Sequence, residues 1–276
     1  MAFFLHTFYG RIISMPMVIS VASGKGGVGK SSLVVNLSLC LQESYGPTLL
    51  VDSDLLMANS HILLNTQPKT DIVDVLEGHS EWRDAVHKVS NGLALLPGRT
   101  AANVLLGSEA EKMKNLITTL KDDGQEFDYI VVDTPAGSGV GVLDMLSVSD
   151  HAVIVILGQA TSFVDAYALI KNAYLERHLT RFSTVVNMAK SAEQAEIIFA
   201  KFKRVVGQFL PIEMIYNGFL PNMADINEAS IKGHSAHDMM AKARIAAKMD
   251  EILKSLLAIS SGMGTAPETA LKMHRL

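Results

Sequence analysis

From residue 17 onward the chain alternates short, almost unbroken apolar runs with longer amphipathic stretches. Val18-Ile19-Ser20-Val21-Ala22 predicts a buried strand, and Ser31 to Leu41 carries the spacing of a helix with one apolar face. Pro47 to Asp52 predicts a second strand with acidic residues at its end. Ile72 to Leu76 and Trp82 to Val89 predict short helices parted by Gly78. Leu93 to Leu96 predicts a strand bounded by Asn91-Gly92 and Pro97-Gly98. Glu109 to Leu120 predicts a helix, and Phe127 to Asp133 a hydrophobic strand ending in aspartate. In the second half, strands over Ala152–Leu157, Phe182–Met188 and Ile212–Leu220 alternate with helices over Ser162–Glu176, Ala192–Phe209 and His237–Ile259. Apolar strands separated by helices require a mainly parallel sheet covered on both faces. The expected class is therefore α/β, a single domain with a twisted sheet. No linker and no fixed-period repeat divides it.

Composition narrows the choice of chemistry. With 49% hydrophobic and 19% charged residues among 276, the chain has ample material for a large core. A net charge of −4 gives no global basis for nucleic-acid binding. The local cluster Lys201, Lys203, Arg204 reads either as a solvated helix face or as a basic patch. Cys40 is the sole cysteine, so no disulfide framework exists and a reducing cytoplasm is expected. No apolar run reaches the roughly 20 residues that cross a bilayer. Residues 1–16 form an aromatic-rich extension, with Phe3, Phe4, Phe8 and Tyr9, lacking the basic segment and small-residue cleavage site of a secretory signal. It either docks on the body or is merely attached, and Met15 and Met17 are candidate starts.

Between the first strand and the first helix stands Ser23-Gly-Lys-Gly-Gly-Val-Gly-Lys-Ser-Ser32, within which Gly24-x-x-x-x-Gly29-Lys30-Ser31 fits the phosphate-binding loop of nucleoside triphosphatases. Strand, glycine loop and helix together aim backbone N–H groups and the positive helix end at phosphate oxygens. Gly26, Gly27 and Gly29 let the backbone approach closely, with Val28 and Ser32 completing the cradle. Lys30 is expected on the β- and γ-phosphates and Ser31 on Mg²⁺. Asp133, ending a hydrophobic strand, is the expected second holder of Mg²⁺, through water. Gly137, in Thr134-Pro135-Ala136-Gly137, is placed to offer its N–H to the γ-phosphate. Asp52 and Asp54 stand where open α/β sheets bind ligands. Asp54 would orient the attacking water and Asp52 support the metal shell; an ordinary helix cap is the other reading of both.

The second lysine, Lys25, is not part of the generic pattern. Lys25-Gly-Gly-Val-Gly-Lys-Ser31 resembles the deviant Walker A loop of the MinD/ParA superfamily. That resemblance implies an ATP-controlled homodimer in which Lys25 reaches the partner copy's nucleotide, as an arginine finger does. Thr161 to Lys171, Val185 to Glu193, and Phe199, Arg204 and Phe209 are similar to the flagellar-number regulators FlhG and FleN within that superfamily, over about residues 17–257. The resemblance implies that Asn187 hydrogen-bonds adenine and that Pro221 lies near a second base-contacting loop. It also implies a protein partner in flagellar assembly, such as an FlhF-like GTPase or a transcription regulator. Three positions depart from the pattern. Residues 1–16 lack the Asp-Gln-Ala motif that stimulates FlhF, and Leu56 and His61 replace the usual glycine and aspartate. His61 reads as a surface or interface residue.

The C-terminal portion is the third departure. Ile252, Leu253, Leu256 and Ile259 share a helical face, which packing on the sheet explains, with membrane contact as the other reading. In the 260–276 tail, Leu271, Met273 and Leu276 beside Lys272 and Arg275 form a short amphipathic piece that two copies in a dimer could press against a membrane. The leading expectation is a slow, Mg²⁺-dependent ATPase over residues 17–259 whose dimer sets the number or placement of flagella or another polar assembly. The alternative is a ParA-type ATPase for chromosome, plasmid or cargo partitioning, which needs a basic face for non-specific DNA. An iron–sulfur carrier needs several cluster-ligating cysteines, and Cys40 stands alone. A metabolic kinase needs a second substrate site, and none is readable.

Overall fold

The computed structural model describes residues 7–8, 11–12, 15–55, 57–99, 109–221 and 236–260, with side chains from 15 onward and, in the last helix, over 245–259. The expectations for the amphipathic tail, for Leu56 and for nearly all of the N-terminal extension lie outside the described residues. β1 (Thr7–Phe8) and β2 (Arg11–Ile12) pair antiparallel in a small ribbon of their own.

Met17–Ala22 is β3, followed by α1 (Lys30–Ser44) and β4 (Thr48–Asp52). Three short helices follow, α2 (Ser60–Leu63), α3 (Ile72–Leu76) and α4 (Trp82–Ala85). Next come β5 (His87–Lys88), β6 (Leu93–Leu96), α5 (Glu109–Asp123) and β7 (Tyr129–Asp133). The remainder is α6 (Val140–Ser147), β8 (His151–Ile156), α7 (Ala160–Arg177), β9 (Arg181–Val186), α8 (Ala192–Gly207), β10 (Glu213–Phe219) and α9 (Ala236–Ser260). The main sheet has eight strands in the order β10-β9-β8-β3-β7-β4-β6-β5. Every pairing is parallel except β5 with β6 at the edge. The α/β expectation is met.

The short helix α2 and the β1–β2 ribbon were not expected from the sequence, and two further differences bear on the main sheet and its cover. The helix expected over Trp82–Val89 stops at Ala85, because His87 and Lys88 pair with Leu95 and Ala94 as an edge strand. The helix α6 was not anticipated: glycines at 137, 139 and 141 masked its apolar residues, of which Val142, Leu143, Met145 and Leu146 are buried.

Strand residues alternate between two covered faces. Ile19, Val21, Leu50, Val131, Val153 and Val185 pack under α1 and the Ile245–Leu256 part of α9. On the other face α6, α7 and α8 cover Ile154, Ile156, Phe182 and Val186, while α3, α4 and α5 cover Val18, Leu49, Val51, Ile130 and Val132. Each fully buried aliphatic side chain contributes about 1.5–3 kcal/mol. Ile252, Leu253 and Leu256 lie in this core, so sheet packing accounts for that face of the last helix. Where β10 bulges between Tyr216 and Gly218, the side chain of Asn217 accepts from the Thr184 N–H at 3.1 Å and donates to Ser255 in α9 at 3.1 Å. A buried amide thereby replaces a ladder bond and ties the last helix to the sheet.

Candidate functional site

The site lies at the C-terminal ends of β3, β7 and β4, neighbours at the centre of the sheet. Ser23 to Gly29 link β3 to α1. Gly27 and Gly29 have φ of 77° and 81°, a backbone region that a side chain would strain. Gly24 is required for a different reason: a Cβ there would fall on the backbone of Asp165 and Ala166 in α7. Around Gly26 there is open space, so the protein's own packing does not demand glycine at that position. Side chains cap other helices, Asp71 on α3 and Ser191 on α8, but nothing caps α1, whose N-cap is Gly29. Its first N–H groups are left to a ligand.

The carboxylates and Lys30 converge just below. Lys30 is 6% exposed, and its Nζ donates to Asp133 Oδ1 at 2.5 Å. Burial raises the Asp133 carboxyl above its ordinary pKa, against the opposing pull of Lys30 and of the Ser31 hydroxyl bonded to it. Asp52 is Asp133's partner in the β4–β7 register. Burial first, and the charge of Asp133 second, push Asp52 up to about 6. Its Oδ2 accepts from the N–H groups of Asn59 at 3.1 Å and Ser60 at 2.9 Å, and its Oδ1 accepts from Asp54 N–H at 3.3 Å. Asp52 thus anchors the start of α2, the cap-like reading of this residue. Asp54 is half-buried and accepts from the Met57 N–H at 3.1 Å. Among the described residues no cluster of three or more His, Cys, Asp or Glu could hold a metal by itself. The hard-oxygen set of Ser31 and Asp133, with Asp52 alongside, instead fits a small divalent ion that keeps part of its water.

The rim holds the residues that the resemblance brought forward. Lys25 Nζ donates to Thr161 Oγ1 at 3.0 Å and Gln159 Oε1 at 3.4 Å, at the start of α7. Gly137, at φ 103°, donates its N–H to Ser23 O at 2.9 Å and so latches the loop after β7 to the phosphate loop. Asn187 is 2% exposed; its Nδ2 donates to Val28 O at 2.7 Å and its Oδ1 accepts from Met188 N–H at 2.9 Å. That amide carries a second N–H besides the one given to Val28. Pro221 is half-buried and adjoins Leu220, whose carbonyl accepts from the Ala189 N–H at 3.1 Å, so the Asn187 and Pro221 loops are tied together. Ser32 is half-buried, and Asn36 donates to its carbonyl at 2.8 Å. His61 lies on α2, where its buried Nδ1 has no partner among the described residues. Sequence reasoning did not single out Gln159, nor Thr161 as a partner of Lys25. No local signal marks them, since they lie 134 and 136 residues away in sequence.

A parallel sheet with this loop at its centre, an uncapped helix behind it and an aspartate on the next strand defines a P-loop nucleoside triphosphatase. The chain belongs to the ParA/MinD family of these proteins: the ParA family profile, described as NUBPL iron-transfer P-loop NTPase, matches residues 14–257. Antiactivator FleN of Pseudomonas aeruginosa is 34% identical over 227 residues, covering 82% of this chain and 81% of its own length. The flagellum site-determining protein YlxH of Helicobacter pylori is 29% identical over 208 residues, 74% of this chain and 69% of its own. Among solved structures, septum site-determining protein MinD of Pyrococcus horikoshii, complexed with Mg-ADP, superimposes with a TM-score of 0.70 at 22% identity. That match covers 91% of this chain and 100% of the other and shows the shared fold.

Proposed function

We propose that this chain is a Mg²⁺-dependent ATPase that works as a switch. ATP joins two copies, slow hydrolysis to ADP and phosphate separates them, and the dimer controls the number or placement of flagella or another polar assembly. The division of labour between two lysines of one loop carries the reading. Lys30 is buried against Asp133, whereas Lys25 is held at the rim by α7. One lysine thus serves its own pocket, and the other is available to a second copy. The similarity to FleN and YlxH supports the flagellar output.

In this reading the N–H groups of Gly26, Gly27, Val28, Gly29, Lys30, Ser31 and Ser32 cradle the phosphates. Lys30 exchanges Asp133 for the β- and γ-phosphates, which releases the carboxylate. Ser31 and Asp133, with Asp52 behind them, would hold Mg²⁺, which supplies neutralisation of phosphate charge. Asp54 orients the attacking water. Lys25 of the other copy stabilises charge developing on the γ-phosphate. Gly137 gives up Ser23 for the γ-phosphate, and Asn187 with Pro221 receives adenine. A partner in flagellar assembly reads the dimer. The protein works in the cytoplasm, with peripheral membrane contact through the tail. No helix among the described residues is long and apolar enough to cross a membrane.

The test is Asp54→Ala with saturating Mg-ATP, followed by light scattering. A stable dimer with turnover abolished is expected, and Lys30→Ala should bind no nucleotide. A monomeric Asp54→Ala protein that has nucleotide bound would overturn the dimer switch. Unchanged flagellar number in host cells lacking the chain would overturn the output. Partitioning on DNA remains the second reading because Lys201, Lys203 and Arg204 are all exposed on α8. Non-specific DNA binding whose log affinity falls with log salt would favour it.

A further inference from the structure

At the opposite edge of the sheet from the phosphate loop, the structure has a cavity of about 220 Å³. It opens at the first residues of β8 and β9, about 20 Å from the loop at roughly 3.3 Å per strand residue. Its wall comes from the end of α6, the turn that closes α7, and the two strand starts, with Ser149, Asp150, His151, His178, Arg181 and Ser183 as the polar lining. Nothing in the switch mechanism uses these residues.

Three features give the cavity a chemical preference. Ser183 is 4% exposed and lines the cavity. A hydroxyl on a cavity wall can donate to or accept from a molecule seated there. Arg181 lends only its Nε to Glu213, at 2.7 Å, so both terminal amino groups stay available at the mouth. The one carboxylate in the lining, Asp150, is already satisfied: Oδ1 takes Lys121 Nζ at 2.7 Å and Oδ2 takes the Val18 N–H at 2.9 Å. Its charge is therefore balanced by Lys121. The exposed His178, held at φ 56° where few side chains sit, adds a further donor to the rim.

We propose that this cavity binds a small oxyanion, a phosphate or a short carboxylate, on the terminal amino groups of Arg181 and the hydroxyl of Ser183. At about 30 Å³ per water-sized group the space admits about seven such groups, room enough for inorganic phosphate or a short carboxylate. Planar guanidinium groups bind such oxyanions through paired hydrogen bonds. The wall is also mechanically joined to the switch. Arg177 Nε donates to Asp144 Oδ1 at 2.7 Å, bracing α6, which begins just after the Gly137 loop, against α7.

Isothermal titration of the full chain with inorganic phosphate and, separately, with succinate tests the assignment and tells the two anion sources apart. One of them should bind with one site per chain beyond the phosphate loop, and Arg181→Gln should weaken that binding about tenfold or more. Ser183→Ala should weaken it several-fold. Neither residue touches the nucleotide pocket, so ATP affinity and thermal unfolding of both variants should match the parent. Arg181 is 57% exposed on its side chain, which keeps its substitution from disturbing the fold. No binding of either anion at millimolar concentration overturns the proposal. So does binding that both variants leave unchanged, as phosphate seated only in the Gly24–Ser31 loop would give.

Discussion

Asn187 is the strut that holds the phosphate loop to the far half of the sheet, and two substitutions of different shape test this. Its amide spans 159 residues of sequence to reach Val28 O at 2.7 Å, inside a site where it is 2% exposed. The same side chain accepts from Met188 N–H at 2.9 Å, steadying a residue held at φ 56°. Asn187→Ala removes both bonds, each worth about 1 kcal/mol net, and leaves the carbonyl of buried Val28 unsatisfied at a further 1–3 kcal/mol or so. The expected loss of stability is about 2–4 kcal/mol. Asn187→Asp is the sharper probe. It keeps size, shape and the Met188 acceptor but sets a carboxylate oxygen against the Val28 carbonyl, where a donor is required. Its cost should equal or exceed that of alanine although no cavity forms. Urea denaturation read by circular dichroism gives both values, and a fluorescent ATP analogue reports the pocket. If Asn187→Asp stays within about 0.5 kcal/mol of the parent, the ordinary range of a surface change, the strut does not exist.

Other outcomes follow from the same geometry. Lys25→Ala should leave stability within about 0.5 kcal/mol, since its bonds to Thr161 and Gln159 are exposed, and leave ATP binding largely intact. It should lower hydrolysis or dimerisation in steady-state turnover and light scattering, and no change in either would remove Lys25 from the active site of a second copy. Gly24→Ala should weaken nucleotide binding and lower the melting temperature together, because the added methyl falls on the backbone of α7; an unshifted melt would show that α7 yields freely. Burial lowers the pKa of His151 below the usual histidine value, with Arg181 adding to the effect and Asp150 opposing it. The unfolded chain then binds more protons than the folded one as pH drops below about 6.5, so stability present above that pH is lost on acidification. His151→Gln should flatten that part of a denaturation-versus-pH curve, and an unchanged slope would exclude His151 as its source.

Much of the site was legible because its grammar is local. The glycines, Lys30 and Ser31 sit within one loop, and Asp133 ends its own hydrophobic strand, so spacing and context suffice for them. Roles that depend on a distant partner were not legible in that way. Asp52 could be read as a metal ligand or a cap, and its cap-like bonds come from Asn59 and Ser60, which fold back to give it their amides. The helix α6 escaped notice because it is short and glycine-flanked, and what holds it is Arg177, 33 residues away, together with burial against the sheet.

The amino-acid pattern by itself determined the alternation of strand and helix, the phosphate loop and the unusual second lysine, because each rests on backbone freedom and periodicity within a few residues. Tertiary structure decided where the two lysines point, that Asp52 anchors α2 and that Asn187 braces the loop. It also decided that a polar cavity opens at the far edge of the sheet. These depend on which strands lie side by side. That order is settled by the burial of both sheet faces together, which no single segment encodes.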